Sequence, residues 1–339
     1  MKLTLLLKLS LVLATVVILM GAYTRLSNAG LGCPDWPGCY GTLTVPSEHN
    51  SAAQLAFPER KIEPKKAWLE MIHRYVAGCL GLLVALLLIV SIRNNRANCD
   101  GPRTPQKLPL LIAALIFFQA LLGMWTVTMK LMPVVVMAHL IGGYSLISML
   151  LILYLRITTQ REGGKHNALL SLSPLAMLGI GVLILQIMLG GWTSSNYAAL
   201  SCSQLPICEG DWSNNLNFTQ AFSIFQGEHS SYEFGVLDYY SRVTIHVTHR
   251  IGALVTAAVL LWLAWKLIHQ EASSKLRVSG IVLIGLIILQ ISLGISNVVL
   301  HLPLGVAVSH NGGALLLLLM MVFINYHLYG INREKKRDI

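Results

Sequence analysis

Four histidines lie inside long apolar stretches of this 339-residue chain, where polar side chains are costly and usually face the interior of a helix bundle. Each follows the start of its stretch by about six to nine residues, so all four lie at a similar depth. They are His73, His139, His249 and His310. Two imidazoles on facing helices suffice for haem iron, since the porphyrin supplies four nitrogens, whereas zinc needs three or four protein ligands. We therefore expect two haem sites, one from His73 and His139 and one from His249 and His310.

The residues that precede these histidines differ between the two expected sites. Glu70 stands three residues before His73, and His246 stands three residues before His249. Residues three apart share a helix face, so one site has a carboxylate beside its ligand and the other an imidazole. A carboxylate half-buried in a membrane is energetically costly, so we expect it to have a function. General-base catalysis or stabilisation of a positive charge would be such a function. We expect the first site to be reactive and the second to hold a permanent electron-transfer haem.

Two arginines directly follow ligand histidines. Arg74 and Arg250 lie near the expected membrane surface, where each can pair with a haem propionate. The alternative is that they only extend to the interface with their charged ends in water. A simpler interpretation of Glu70 also exists, because Glu70 and Arg74 are spaced for a helical ion pair.

Two cysteine pairs have the same spacing, with five residues between the partners. They are Cys33 with Cys39 and Cys202 with Cys208. The repeated spacing favours a disulfide within each loop, and an oxidising exterior permits it. Each disulfide would pin a loop over its site, although a redox role for Cys33 and Cys39 is an alternative. Cys79 and Cys99 are expected to be free thiols.

The elements that must position these residues are membrane-spanning helices. Only 12% of the residues are charged and 55% are hydrophobic, which excludes an ordinary soluble protein. Eight apolar stretches are long enough to cross a bilayer as helices. They are approximately 3–23, 67–92, 108–127, 133–155, 169–192, 243–268, 278–299 and 304–329. The fold class is therefore an all-α polytopic membrane protein, and residues 53–66 are expected to add a surface helix.

The chain contains an internal duplication. Four features recur in the same order in both halves of the chain. They are the Cys spacing, the His-Arg pairs, the Gln…Gly pairs (Gln119 with Gly123, Gln290 with Gly294), and His139 with His310. Two pseudo-symmetric four-helix bundles follow: residues 1–160 with the reactive haem site and 165–330 with the permanent one. Residues 331–339 form a basic tail. The first helix corresponds to an internal one, so we expect it to be retained rather than cleaved as a signal peptide.

The net charge of +10 reports orientation rather than a nucleic-acid partner. The short loops and termini hold 16 Lys and Arg against five Asp and Glu, whereas the other side holds nine against ten. Positive loops stay in the cytoplasm. We expect an inner-membrane protein among lipids with both termini cytoplasmic, and with loops 24–66 and 193–242 periplasmic or external.

Taken together, these motifs resemble the haem A synthase family, in its bacterial, cysteine-containing branch. The resemblance covers nearly the whole chain. It is carried by Gly21-Ala-Tyr-Thr-Arg-Leu-Ser27, Gly30-Leu-Gly-Cys-Pro-Asp-Trp-Pro-Gly-Cys39, Glu70-x-x-His73-Arg74, Gln119…Gly123, His139, His249-Arg250 and His310.

The resemblance implies an oxidoreductase that converts the C8 methyl group of haem O to a formyl group, giving haem A for cytochrome c oxidase. His73 and His139 would hold the haem O substrate, and His249 and His310 a haem b cofactor. Glu70 matches the family's catalytic glutamate. Haem O synthase and oxidase assembly factors would be partners.

Two other functions fit parts of the pattern. A di-haem electron-transfer cytochrome, of the quinol oxidoreductase type, would also use four histidines, but it typically places its haems near both membrane faces and leaves Glu70 unexplained. A transporter or haem carrier would suit the duplicated halves, but the sequence shows no charge at the membrane midplane.

Overall fold

Eight long helices dominate the computed structural model, which describes residues 3–97, 106–159, 171–206, 208–209, 211–269 and 274–335. Each of the eight is long and apolar enough to cross a membrane, which confirms the predicted spans and fold class. In chain order the helices are α1 (Leu3–Leu26), α2 (Ser51–Ala56), α3 (Pro64–Ala97), α4 (Lys107–Thr128), α5 (Pro133–Thr158), α6 (Ser173–Ser195), α7 (Phe218–Ala221), α8 (Tyr239–His269), α9 (Ser274–Val299) and α10 (Leu304–Lys335). The short helices α2 and α7 lie in the long loops.

Prolines and an asparagine set several helix starts. Pro64 and Pro133 are the first residues of α3 and α5, where a missing N–H costs no helical hydrogen bond. The Asn50 side chain caps α2 by accepting from the N–H of Ala53. The predicted surface helix over 53–66 is wrong in its length, because α2 ends at Ala56. Pro58 disfavours helical backbone at the residue before it, which stops the helix there.

The chain folds into two compact units. The first contains residues 1–157 together with 224–236, and the second contains 158–223 and 237–339. Within the first unit α3 packs against α1 and α4, and within the second α6, α8, α9 and α10 pack in a closed ring of neighbours. The predicted arrangement of two related bundles, and their assignment to a reactive and a permanent haem, stay predictions.

Local backbone geometry recurs between the units. After α1, the N–H of Ala29 donates to the carbonyl of Thr24, and after α6 the N–H of Ala198 donates to that of Thr193, both at 2.9 Å. The intervening Asn28 and Tyr197 have positive φ angles of 52° and 53°. The turns between α4 and α5 and between α9 and α10 repeat in the same way, with consecutive positive-φ residues at 130–131 and 301–302. Corresponding sequences therefore form corresponding turns.

The first long loop folds onto the start of α3. A small hydrophobic cluster joins the Cys33–Cys39 disulfide, fully buried, to Ile62, Ala67 and Met71. Tyr40 lies in the same cluster and meets the ring of Phe57 edge to face, with 5.7 Å between centroids. The loop thus has a core of its own, anchored on the helix that carries His73.

A segment of the second long loop completes the first unit. The backbone N–H of Tyr232 donates to the carbonyl of Lys130 at 3.0 Å, and Glu233 forms an ion pair with Arg60 at 3.2 Å. Residues 224–236 therefore fold with the first unit, although they follow α6 in the chain.

Gly32 allows the loop to lie directly on α3. A Cβ at this position would lie 2.6 Å from the carbonyl carbon of Lys66 and 2.7 Å from the nitrogen of Ala67, and both are backbone atoms. We predict that Gly32→Ala lowers the free energy of unfolding by about 1–3 kcal/mol, because the loop must shift. Thermal unfolding in detergent measures the effect. The control is Gly78→Ala, where a Cβ meets nothing within 4 Å; an equal loss in both variants would contradict the close approach.

Candidate functional site

His73 and His139 lie in the first unit, each against a glycine of a neighbouring helix. A Cβ on Gly21 of α1 would lie 3.0 Å from Cε1 of His73, and a Cβ on Gly123 of α4 would lie 3.5 Å from Cε1 of His139. The structure therefore places both predicted ligands in the same unit, each beside a glycine of a neighbouring helix.

The second unit repeats this arrangement. His249 faces Gly190 of α6, and His310 faces Gly294 of α9; a Cβ on these glycines would lie 3.2 and 3.3 Å from Cε1 of the respective ring. Each pair of rings is thus seated where the neighbouring helix has no side chain.

Three of the four histidine rings have a nitrogen that finds no hydrogen-bond partner in the described part of the chain. Nδ1 of His73, His139 and His310 is buried, with no hydrogen-bond partner among the described residues. Unpaired polar groups are costly at membrane depth, so these rings fit a bound group that engages them. Among the described residues, no three His, Cys, Asp or Glu side chains converge to hold a bare metal ion. Two imidazoles per unit, beside glycines, suit a haem, whose porphyrin completes the iron ligands.

Glu70 is held in place by its own helix and by the disulfide loop. It is 4% exposed. One carboxylate oxygen accepts from the backbone N–H of Cys33 at 3.0 Å, and the other pairs with the guanidinium of Arg74. The ion pair that the sequence allowed is present, but Glu70 is bound to the loop as well. The carboxylate therefore links α3 to the disulfide.

Arg74 extends the same connection. Its Nη1 lies 3.0 Å from the carbonyl oxygen of Asp35, 3.2 Å from that of Pro37 and 2.6 Å from that of Gly38. The guanidinium thus gathers the carbonyls of the disulfide loop while it neutralises Glu70. The pairing of Arg74 with a propionate stays a prediction.

The second unit carries a related network without a carboxylate. Arg250 donates to the carbonyls of Cys202 at 2.6 Å and Gln204 at 2.8 Å. Its Nε lies 3.4 Å from Nε2 of His246, which occupies the place of Glu70 and is itself buried. Both arginines therefore fasten a disulfide loop, and the residue three before the predicted ligand histidine differs in charge between the two units, as the sequence indicated.

Both predicted disulfides are present. Sγ of Cys33 bonds to that of Cys39, and Cys202 to Cys208. Cys79 is a free, exposed thiol, as predicted. Cys99 lies outside the described residues.

Outside the histidine pairs, an acidic residue is fixed in the second disulfide loop. Glu209 accepts from the backbone N–H and the hydroxyl of Ser203, at 3.2 and 2.8 Å. The hydrogen bond from its own backbone N–H, followed by those from Ser203 and Gln204, lowers the pKa of Glu209 to about 2. Its charge therefore persists across the physiological pH range and helps to close the loop on itself.

Sequence reasoning missed one polar residue of the second site. Gln186 on α6 places Nε2 2.9 Å from Nδ1 of His249 and 2.9 Å from the carbonyl oxygen of the same residue. The signal was available, since Gln186 precedes Gly190 by four residues, as Gln119 precedes Gly123 and Gln290 precedes Gly294. The first helix has Val17 at the equivalent position, four residues before Gly21. A comparison of the fifth span with the first therefore does not reveal the glutamine.

Comparison with known proteins places most of the chain in one family. The family described as Cytochrome oxidase assembly protein matches residues 4–322. A protein named Heme A synthase from Shewanella oneidensis is 60% identical over 331 residues, covering 97% of each chain. Proteins of the same name from Allorhizobium ampelinum and Shouchella clausii are each 24% identical, covering 89% and 95% of this chain and 84% and 94% of theirs.

The contact between Glu70 and Arg74 gives a thermodynamic prediction. Arg74→Met leaves Glu70 buried with its main positive partner removed, and we expect a loss of roughly 3–5 kcal/mol in the free energy of unfolding. Glu70→Gln combined with Arg74→Met removes the uncompensated charge, so the double variant should recover part of that loss. Thermal unfolding of the two single variants and the double variant measures the coupling. Additive losses would show that the two charges do not interact.

Proposed function

The chain belongs to the family of cytochrome oxidase assembly proteins, and from that premise we propose that it is a haem A synthase, an oxidoreductase that converts the C8 methyl group of haem O to a formyl group. The observation that carries the proposal is Glu70. This buried carboxylate lies three residues before His73, whereas His246 takes the equivalent place three residues before His249. A pure electron carrier has no need of that difference.

We assign the substrate to the first unit. His73 and His139 hold haem O there, and their unpartnered, glycine-seated rings support this. Haem O carries a long apolar tail, so it reaches the site from the bilayer. His249 and His310 hold haem b, which supplies electron transfer when bound. Arg74 and Arg250 lie at the outer ends of the sites, where propionates would meet positive charge.

Glu70 acts on the carbon that is oxidised. Conversion of a methyl to a hydroxymethyl group consumes one water and releases two electrons and two protons to acceptors. A second such step gives the hydrated aldehyde, which loses water to become the formyl group. As electrons leave, positive charge develops on the carbon, and the Glu70 carboxylate stabilises it and orients the attacking water. Arg74 and the Cys33 N–H keep the carboxylate in position for both steps.

We also propose where the protein works. The short, basic loops favour cytoplasmic termini in a bacterial inner membrane, and the two disulfides support an outward position for loops 24–66 and 193–242. Haem O synthase would deliver the substrate, and cytochrome oxidase assembly factors would receive the product.

We predict that Glu70→Gln retains both haem sites and loses product formation. The substitution keeps the shape and removes the charge, so conversion of haem O should fall by at least 100-fold, within the range lost when an electrostatic stabiliser is removed. Pigments extracted from the purified wild type should contain haem B with haem O or haem A, and those of the variant haem B with haem O. Normal turnover of the variant would exclude the catalytic role, and haem B alone in the wild type would favour a di-haem cytochrome.

Each histidine pair should serve its own haem. His249→Ala removes a ligand of the haem b site, so extracted haem B should fall while haem O remains bound. His139→Ala should give the reverse. Absorption spectra of the purified variants, with pigment extraction, measure both. Identical spectra in the wild type and both variants would end the haem assignment.

A further inference from the structure

One side of α3 carries a continuous exposed stripe. Exposed residues recur along it every three or four positions, so they share one face of the helix. They are Trp68, Ile72, Tyr75, Cys79, Leu82 and Leu86. Because α3 is long and apolar enough to cross a membrane, this face meets acyl chains along the span.

The end of the stripe nearest the Cys33–Cys39 loop is aromatic, which is typical of a helix at the boundary between membrane and water. Trp68 and Tyr75 are 41% and 42% exposed. The equivalent positions of α8 are occupied by Thr244, which is fully buried, and Ile251. The helix α3 therefore differs from its counterpart at the level of its disulfide loop.

A turn of the first long loop lies against this aromatic end. The hydroxyl of Tyr75 donates to the backbone carbonyl of Leu43. The Leu43 side chain is 76% exposed, although leucine is among the residues most often buried. A backbone group that is bonded to the exposed side of a spanning helix lies at the level of that contact. Leu43 therefore reaches the boundary that Trp68 and Tyr75 mark.

The turn has a defined conformation. Tyr40 and Gly41 both have positive φ angles, of 52° and 76°, as in a two-residue hairpin turn. The Asp35 carboxylate accepts from the N–H groups of the same two residues, at 2.6 and 2.8 Å. The disulfide loop therefore presents Leu43 in a fixed position against α3.

We propose that residues 40–44 form a membrane anchor, in which the Leu43 side chain inserts among the acyl chains of the leaflet on the side of the Cys33–Cys39 loop. A lipid bilayer fits this surface for two reasons. The stripe continues along the span from Tyr75 as an apolar face, and the aromatic residues flank Leu43 where headgroups give way to acyl chains.

The anchor has a consequence for the buried carboxylate. The same loop donates the Cys33 N–H to Glu70 and offers its carbonyls to Arg74. Insertion of Leu43 therefore fastens to the bilayer the loop that holds Glu70, in addition to the contacts that the loop makes with α3.

Quenching of a fluorescent label at Leu43 tests the insertion. Cys79→Ala with Cys99→Ala leaves only disulfide-bonded cysteines, so Leu43→Cys adds one labelling site, and mass spectrometry verifies a single label. In proteoliposomes with iodide on both sides, iodide should quench this label at least about threefold less than a label at Ser47→Cys, an exposed polar position of the same loop. Lipids with a nitroxide near the headgroup should quench it strongly. Leu82→Cys, farther along the stripe, is the reference for a fully inserted label.

The quenching pattern distinguishes the occupants of this surface. A label at position 43 that is as open to iodide as the Ser47 label would place Leu43 in water and overturn the proposal. Protection from iodide without quenching by the nitroxide lipids would mean that a protein surface, such as a second copy of the chain, covers the turn, and it would overturn the proposal as well.

A second variant tests how the turn is held. Tyr75→Phe keeps the aromatic ring and removes the donor to the Leu43 carbonyl. A spin label at position 43 should then move faster and give a narrower electron paramagnetic resonance line. Tyr240→Phe, at an exposed tyrosine of α8, is the control and should leave the spectrum unchanged. An unchanged spectrum in folded Tyr75→Phe would show that α3 does not fix the turn at the membrane.

These readouts are separate from the proposed function. Neither depends on turnover, so a chain that fails to convert haem O can still show the insertion. Conversely, a label at position 43 that stays in water would leave the oxidation of haem O unaffected as a proposal.

Discussion

A carboxylate buried at the end of a membrane helix bundle has to be compensated, and this constraint governs the end of the first unit that the Cys33–Cys39 loop covers. Glu70 receives one donor from its own helix, Arg74, and one from the Cys33 backbone. The loop can reach it only because Gly32 has no side chain where the loop meets α3. Arg74 then gathers the loop carbonyls, and the Cys33–Cys39 disulfide closes the loop around them. The Glu70 carboxylate, the Cys33–Cys39 loop and α3 therefore hold one another in place.

The second unit shows what remains when the carboxylate is removed. Arg250 still fastens a disulfide loop through its carbonyls, but its neighbour on the helix is His246. The scaffold is therefore not built for Glu70; it exists in both units, and the first unit adds a carboxylate to it. Under the proposed function, a frame present in both units with one altered residue would let one pair of histidines serve a substrate and the other a resident haem.

Much of this arrangement follows from the sequence, because it depends on local patterns. Apolar length alone predicts the eight spans, and the repeated spacing predicts both disulfides. The surface helix over 53–66 fails at Pro58, where a local steric rule outweighs amphipathic spacing. Gln186 was not predicted because the equivalent residue of the first helix is Val17. A comparison of the two halves therefore finds no matching glutamine at this position. The docking of 224–236 depends on partners such as Arg60, far away in the chain, and no local pattern encodes it.

The membership of residues 224–236 in the first unit has a consequence for how this chain can be divided. The polypeptide passes from one unit to the other after residues 157, 223 and 236, rather than once at the midpoint. A fragment that ends near residue 160 therefore lacks the segment that pairs with Arg60 and Lys130. Cutting the chain at its midpoint therefore divides the first unit between the two pieces.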